Sequence, residues 1–219
     1  QPLAAFLSTI PQERRDRVRA LRRLNKVAVA CALCGLSVAL AAGSANAASK
    51  KKSEFSTKAQ NAILMDSGAD LVLFEKGADT PIPPASMSKL MTLAVVFREL
   101  KAGRITLDDT FKVSEHAWRT GGAPSGTAAM FAPLGSLITV ADLIQGVTVQ
   151  SANDGALILA EGIGGTEEGF VKMMNDYAEQ IGLTGSNFAN PTGLPAEGHL
   201  MTPRDLATLS KHLIETYPE

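Results

Sequence analysis

A hydroxyl and an amine stand three residues apart at Ser86 and Lys89, in the segment Ser-Met-Ser-Lys. Residues i and i+3 of a helix share a face, with Cβ atoms about 5–6 Å apart. An amine partly removed from water can lose its proton and then accept the serine proton, which turns the serine into a nucleophile. Backbone N–H groups at the start of that helix stabilise the negative charge that develops on the substrate during acyl transfer. The spacing therefore predicts Ser86 as nucleophile and Lys89 as general base.

The Ser-x-x-Lys spacing has low specificity when taken alone. A second match begins at Ser49, in a polar and lysine-rich stretch. Taken alone, the spacing favours a capped helix with a surface lysine over a catalytic pair. The context of Ser86 differs, because the prolines of 81–84 prevent a helix before that point. Apolar residues then recur at helical spacing, which predicts a helix over 86–100.

A second polar pair, Ser151 and Asn153, stands between an apolar run and a predicted helix. Serine and asparagine are favoured helix N-caps, so a plain cap is the alternative to a functional site. The order of the motifs favours function, because Ser86 and Ser151 each stand at the start of a predicted helix. A nucleophile, a base and a second polar pair across a cleft form a plausible active site.

The elements that must position these residues follow from hydrophobic periodicity. Two short apolar runs at 62–66 and 71–75, joined by a glycine-containing turn, predict a β-hairpin. Further helices are predicted over 140–146, 154–162, 167–181 and 202–216. In the last of these, Thr202 is the predicted N-cap and Pro203 stands at N1, and the Asp205 side chain at N3 is expected to reach back to the cap. A strand pair followed by helices is typical of an α/β fold whose antiparallel sheet has only begun.

The N-terminal region is typical of an export signal. A basic segment precedes an apolar run over 27–43, and Ala45 and Ala47 provide the small residues that a signal peptidase requires. We therefore predict a signal peptide and its basic approach over 1–47, cleaved after Ala47. The alternative is an uncleaved anchor helix. Both cysteines lie within the apolar run, so the exported part has no disulfide or thiol chemistry.

Composition excludes several classes of protein. The chain has 219 residues, of which 45% are hydrophobic, and its formal net charge is −1, so we expect no nucleic-acid partner. The 3 histidines, at positions 116, 199 and 212, lack the spacing of metal ligands. We expect them to be surface or hydrogen-bonded residues, and we expect no metal and no cofactor.

Taken together, these segments resemble the D-alanyl-D-alanine carboxypeptidases, the low-molecular-mass penicillin-binding proteins of the serine type. The resemblance extends from about Ala62 to the end of the sequence. Its segments are 84–92 (PASMSKLMT), 117–122 (AWRTGG), 130–131 (MF), 188–195 (FANPTGLP) and 202–207 (TPRDLA). Serine stands at position 88, where threonine is more usual in the family.

The resemblance implies a β-lactamase/transpeptidase-like fold, in which an antiparallel sheet packs with a helical subdomain. Residues 48–58 would be a flexible lead-in, and 59–219 the N-terminal part of the penicillin-binding domain. The implied catalytic residues are Ser86 as the acylated nucleophile, Lys89 as its base, Ser151 as a proton relay, and Asn153 as the residue that holds Lys89 and the substrate amide.

One departure from the family pattern concerns its third element. No lysine of this sequence is followed by Thr-Gly or Ser-Gly. In the family that element binds the substrate carboxylate and supplies part of the oxyanion hole, where losing one donor costs about 10²–10³ in rate. We therefore expect this sequence to be the N-terminal part of such an enzyme. The later strands of the sheet and the membrane-associating C-terminal region are absent from it. We expect this part to be inactive if nothing supplies those missing elements.

The function that the resemblance implies is removal of the terminal D-alanine from peptidoglycan stem peptides through an acyl-enzyme that β-lactams also form. The expected location is the periplasm or the outer face of a bacterial cytoplasmic membrane, with peripheral membrane association through the C-terminal region. A serine β-lactamase of related fold is one alternative. A truncated, non-catalytic peptidoglycan-binding product is another.

Overall fold

The computed structural model describes residues 55–218, and within them the strands form two antiparallel pairs. Strands β1 (Ala62–Asp66) and β2 (Leu71–Lys76) form the predicted hairpin, whose turn is closed by Asp66 Oδ1 accepting the Gly68 and Ala69 N–H groups at 3.0 Å. Strand β3 (Thr110–Lys112) pairs with β4 (Leu137–Thr139). Short antiparallel sheets among helices confirm the predicted α/β class.

Six α-helices lie within the described residues. They are α1 (Lys89–Lys101), α2 (Glu115–Thr120), α3 (Val140–Gln150), α4 (Asn153–Gly164), α5 (Glu167–Gln180) and α6 (Pro203–Thr216). Five of them confirm predicted helices, whereas α2 was not predicted. It begins at Ser114, whose hydroxyl accepts the Ala117 N–H at 2.9 Å, and it has only six residues, too few for a clear periodic pattern.

Two helix limits differ from the prediction by three residues or more. The segment Ala85–Ser88 is a 3₁₀ turn, so α1 begins only at Lys89. Ala85, the residue before the predicted start, has a left-handed backbone with φ 49°, whereas the residue that precedes an α-helix usually has an extended one. Helix α3 continues past Gly146 to Gln150, and Gly146 packs against Met130, whose Sδ would lie 2.6 Å from an added Cβ. Gly146 therefore marks a close contact and not a helix end.

The core surrounds α4. Residues 156–160 of this helix are completely buried, and α4 packs against α5, α3 and α2. A helix that is apolar on every side is stable only when neighbours cover it all round. Buried residues of α1 and α5, including Met91, Val95, Phe170 and Met174, provide that cover. The first residues of α1 and α4, Lys89 and Asn153, are themselves buried beside this core, each 4% exposed.

The start of α6 confirms one part of the predicted cap and corrects another. Thr202 is the N-cap, and its hydroxyl accepts the Asp205 N–H at 3.1 Å. The Asp205 carboxylate does not reach back to the cap. It accepts the Gly185 N–H at 2.8 Å and the Ser186 hydroxyl at 2.7 Å. The Asp205 carboxylate therefore binds groups of another loop and not the local helix cap, and sequence spacing does not reveal such a distant partner.

The predicted signal segment 1–47 and most of the predicted lead-in 48–58 lie outside the described residues. Within residues 55–58 the chain has no helix or strand, and the ring of Phe55 packs edge-on against Phe74 at 4.9 Å between centroids. Across the described part of the chain, every helix is too short or too polar to span a bilayer.

Candidate active site

Ser86 and Lys89 are brought together where the 3₁₀ turn enters α1. Lys89 Nζ lies 3.1 Å from Ser86 Oγ, so the proximity predicted from their spacing is confirmed. Ser86 is exposed, whereas Lys89 is only 4% exposed. The N-cap of α1 is Ser88, whose side chain makes no capping hydrogen bond. The alternative of a capped helix with a surface lysine is therefore wrong.

Burial sets the protonation of Lys89. Removal of the ammonium from water lowers the pKa of Lys89 to about 8, well below its ordinary value of 10.5. At neutral pH a useful fraction of this amine is therefore unprotonated and can accept the Ser86 proton. A base whose pKa lies near the working pH is the most effective kind of proton acceptor.

Lys89 has a second partner that the sequence did not reveal, the backbone carbonyl of Thr192 at 2.6 Å. A carbonyl can only accept, so this bond uses an N–H of Lys89 in either protonation state. The neutral amine then has its lone pair available for the Ser86 hydroxyl. Thr192 lies in the segment 188–195 that carries the family resemblance, but no side-chain pattern marks a backbone acceptor.

The turn that carries Thr192 is built around one side chain. Asn190 Oδ1 accepts the backbone N–H groups of Thr192 at 3.1 Å and Gly193 at 2.8 Å, and Asn190 Nδ2 donates to Leu194 O at 2.9 Å. The Thr92 hydroxyl of α1 donates to Pro191 O at 2.7 Å. Asn-Pro-x-Gly is a turn signal with this mechanism, so the turn itself was detectable from sequence. We call residues 190–194 the Asn190 turn.

Asn153 is the first residue of α4 and is 4% exposed. Its backbone N–H donates to Ala128 O at 2.8 Å, and its Nδ2 donates to the Thr127 hydroxyl at 2.9 Å. Within the described residues its Oδ1 has no hydrogen-bond partner, and no bond joins it to Lys89. The N-cap of α4 is Ala152, so Asn153 is not a helix cap. The role that the resemblance implies for Asn153 stays a prediction.

Ser151 ends α3 in a left-handed conformation, with φ 54° and ψ 34°. It is half-buried and precedes Asn153 by two residues on the connection between α3 and α4. It also does not act as the predicted cap, because the α4 N-cap is Ala152. Ser151 is not among the residues that line the cavity beside Ser86, and its role as a proton relay stays a prediction.

A cavity of about 370 Å³ is lined by two of the four predicted residues, Ser86 and Asn153. Its wall includes Ser86, Asn153, Thr192, Leu194 and His199, from three separate segments of the chain. Three other cavities of about 390–420 Å³ lie elsewhere in the described residues, but none of them brings a serine beside a lysine. The wall is mostly apolar with a few polar groups, which is typical of a small-molecule site.

All 3 histidines form hydrogen bonds, as expected. His116 contacts Glu167 at 2.8 Å, and His212 contacts the Tyr177 hydroxyl at 2.7 Å. His199 is buried in the cavity wall, where its Nδ1 accepts the Ala189 N–H at 3.2 Å and burial lowers its pKa. Among the described residues, no three His, Cys, Asp or Glu side chains cluster in a way that could hold a metal ion.

Both the sequence and the fold of this chain are similar to those of known proteins. A sequence model of the D-alanyl-D-alanine carboxypeptidase family matches residues 45–219. The D-alanyl-D-alanine carboxypeptidase DacC of Escherichia coli is 44% identical over 158 residues, which are 72% of this chain and 40% of that protein. The structure of penicillin binding protein 5 from Haemophilus influenzae matches with a TM-score of 0.72 at 37% identity, covering 75% of this chain and 47% of that one.

A penicillin-binding protein from Listeria monocytogenes, solved in its ampicillin-bound form, matches with a TM-score of 0.64 at 28% identity. It covers 74% of this chain and 63% of that one. The fold is therefore that of the penicillin-binding proteins, and the chain belongs to the D-alanyl-D-alanine carboxypeptidase family. It spans about 40% of the length of DacC and of the relative DacF from Bacillus subtilis.

Proposed function

We propose that the protein is a serine-type D-alanyl-D-alanine carboxypeptidase that trims peptidoglycan stem peptides. The observation that carries the proposal is the contact between the buried Lys89 amine and the exposed Ser86 hydroxyl. Family membership supports the same reaction, because the matched family is described by that activity. An activated serine beside an open cavity is suited to acyl transfer.

The proposed reaction has two steps. Ser86 Oγ attacks the carbonyl carbon of the penultimate D-alanine while its proton passes to the neutral Lys89 Nζ. The peptide C–N bond then breaks, and the departing D-alanine nitrogen takes up the proton held by Lys89, relayed by Ser151 in the role that the resemblance implies. Water attacks the resulting ester, which releases the shortened peptide and restores the Ser86 hydroxyl.

The same proposal includes β-lactams as ligands. A β-lactam carbonyl would acylate Ser86 as the peptide does, but its leaving nitrogen stays attached to the acyl group and does not diffuse away. Support comes from the ampicillin-bound relative. The family's Lys-Thr-Gly or Lys-Ser-Gly element has no match in this sequence. We therefore assign recognition of the substrate carboxylate to none of its residues.

Export across the cytoplasmic membrane is part of the proposal. It rests on the sequence of residues 1–47, with its apolar run and its Ala-x-Ala site. Peptidoglycan is assembled outside that membrane, so export and substrate agree. Membrane association through a C-terminal region stays a prediction from the resemblance.

Release of D-alanine from a synthetic peptide ending in D-Ala-D-Ala tests the activity. The full-length gene product should release D-alanine, and Ser86→Ala should lower that rate by about 10³-fold or more, because the covalent step is lost. Ser49→Ala, at the second Ser-x-x-Lys match, is the control and should retain the wild-type rate.

Two other results would favour the alternatives. Rapid hydrolysis of a β-lactam with no D-alanine release would indicate a serine β-lactamase. Binding of muropeptides with neither reaction would indicate a non-catalytic binding protein. Equal D-alanine release by wild type and Ser86→Ala would place the nucleophile elsewhere.

A further inference from the structure

A chain of hydrogen bonds extends from the candidate active site to the end of α2. Asn153 Nδ2 lies 2.9 Å from Thr127 Oγ1, and Thr127 Oγ1 lies 2.8 Å from Ser125 Oγ. Ser125 Oγ then lies 2.7 Å from the Gly122 carbonyl oxygen. Ser125 and Thr127 belong to a loop that the sequence did not mark as functional.

The donor and the acceptor of each hydrogen bond in this series follow from the last acceptor, the Gly122 carbonyl oxygen. The Gly122 carbonyl can only accept, so the single Ser125 hydroxyl hydrogen points to it. Ser125 Oγ must then accept from Thr127, and it also accepts the Thr127 backbone N–H at 3.2 Å. The Thr127 hydroxyl hydrogen is therefore used, and Thr127 Oγ1 can only accept from Asn153.

This direction determines which way the Asn153 carboxamide faces. The oxygen and nitrogen of an amide are distinguished by the hydrogen-bond network around them. The atom next to Thr127 must be a donor, so it is Nδ2, and Oδ1 is the atom presented to the other side. Oδ1 is buried and unpaired among the described residues, and Asn153 forms part of the cavity wall beside Ser86.

The same loop also holds the Asn153 backbone. Ala128, next to Thr127, accepts the Asn153 N–H at 2.8 Å through its carbonyl oxygen. The backbone N–H and the side-chain Nδ2 of Asn153 are thus both held by a single loop, which leaves Oδ1 as a free acceptor. A buried acceptor without a partner is unfavourable unless something donates to it.

We propose that Thr127 is a positioning residue, which holds the Asn153 carboxamide so that Oδ1 accepts an N–H group in the cavity. The donor is an N–H of the bound acyl ligand or of the Lys89 ammonium, two sources with the same chemistry. The inference rests on the proposed function for its catalytic consequence, but the orientation of Asn153 does not depend on it. Family resemblance marks Asn153 and assigns nothing to Thr127.

Two substitutions of Thr127 separate its hydroxyl from its bulk. Thr127→Val keeps the shape and removes the hydroxyl, whereas Thr127→Ser keeps the hydroxyl and removes the methyl group. Thr148→Val is the control, because the Thr148 hydroxyl bonds only carbonyls of its own helix α3. All three are to be made in the full-length gene product.

The first measurement is the rate of acylation by a fluorescent penicillin. Thr127→Val should lower the second-order rate constant about 10-fold to 100-fold, since a misplaced binding group has effects of that size. The rate constant of Thr127→Ser should stay within about threefold of the wild-type value, a change that corresponds to the free energy of one weak hydrogen bond. Thr148→Val should match wild type. Wild-type rates in Thr127→Val, or an equal loss in Thr127→Ser, would overturn the proposal.

The second measurement does not require activity. In the NMR spectrum, the Asn153 side-chain NH₂ should exchange slowly with solvent in wild type and Thr127→Ser, and faster in Thr127→Val. If the wild type is not acylated, the proposed function fails, whereas this spectrum still decides the positioning of Asn153. Equal exchange in Thr127→Val and wild type would overturn the positioning.

Discussion

The Lys89 amine lies between two oxygens of different character, a hydroxyl that can donate and a carbonyl that cannot. Its distances are 3.1 Å to Ser86 Oγ and 2.6 Å to Thr192 O. The carbonyl fixes the amine through one N–H, and burial lowers the lysine pKa to about 8. Position and protonation are therefore set by separate features, the Asn190 turn and the covering of Lys89 by its neighbours.

The pH dependence of acylation tests this assignment at the residue scale. Only neutral Lys89 accepts the Ser86 proton, so below the lowered pKa the rate should rise about tenfold per pH unit. It should level off above about pH 8, the pKa that burial gives Lys89. Stopped-flow acylation by a chromogenic β-lactam measures the profile.

Lys89→Arg provides the matched variant for that profile. A guanidinium stays protonated throughout this range, so the variant should lose both the rate and the inflection near pH 8. An inflection that survives in Lys89→Arg, or a wild-type rate that falls with rising pH, would contradict the role of Lys89.

At this scale the sequence predicted the side chains better than their surroundings. The spacing of Ser86 and Lys89 predicted their contact because both lie within one turn of chain. The bond to Thr192 joins residues 103 positions apart through a backbone atom, so no pattern of residue types records it. The burial of Lys89 likewise depends on packing between distant segments.

At the scale of elements, the Asn190 turn and the 3₁₀ turn Ala85–Ser88 pack directly against each other. Gly193 has φ 84°, and a Cβ added there would overlap the carbonyl group of Ala85. Ala85 itself has a left-handed backbone, next to Ser86. The close approach of these turns is what brings the Thr192 carbonyl to Lys89.

Gly193→Ala tests that approach against a control with the same backbone strain. Gly182 has φ 80° and nothing within 4 Å of an added Cβ, so Gly182→Ala should lose only the left-handed penalty of roughly 1–2 kcal/mol. Gly193→Ala adds a collision with backbone, so its free energy of unfolding should fall by about 3 kcal/mol or more. Urea denaturation measures both.

Acylation should separate the two glycine variants as well. Gly182→Ala should be acylated at the wild-type rate, whereas folded Gly193→Ala should be slower because Thr192 O moves away from Lys89. Equal stability losses in the two variants would show that the two turns are not in close contact.

Element boundaries were predictable where a local signal exists. Thr202 and Pro203 predicted the start of α6 because capping is local. The continuation of α3 past Gly146 was not predictable, because the contact with Met130 that explains this glycine is not local in sequence. The partners of Asp205 were missed for the same reason, since they lie on another loop.

For the whole molecule, the helical core and the first hairpin differ in burial. Leu157 in α4 is fully buried, whereas Leu73 on β2 is 56% exposed, with Leu71 and Leu64 also exposed nearby. The α/β class was predictable from the order of periodic segments. The separation into two strand pairs was not, because strand pairing depends on long-range contacts.

Matched leucine substitutions test this distribution in the 219-residue chain. Leu157→Ala should lower the free energy of unfolding by about 2–5 kcal/mol, because it leaves a cavity in a packed core. Leu73→Ala should change it by about 0.5 kcal/mol or less, as for most exposed positions. A large loss in Leu73→Ala would mean that the hairpin face is covered.

The most direct test of the account is the mass of the protein after incubation with benzylpenicillin. We predict that the intact mass rises by that of one whole penicillin molecule, and that the adduct maps to the peptide containing Ser86. Ser86→Ala, with the same thermal midpoint, should gain no mass. An adduct on another residue, or one that persists in Ser86→Ala, would contradict Ser86 as the nucleophile.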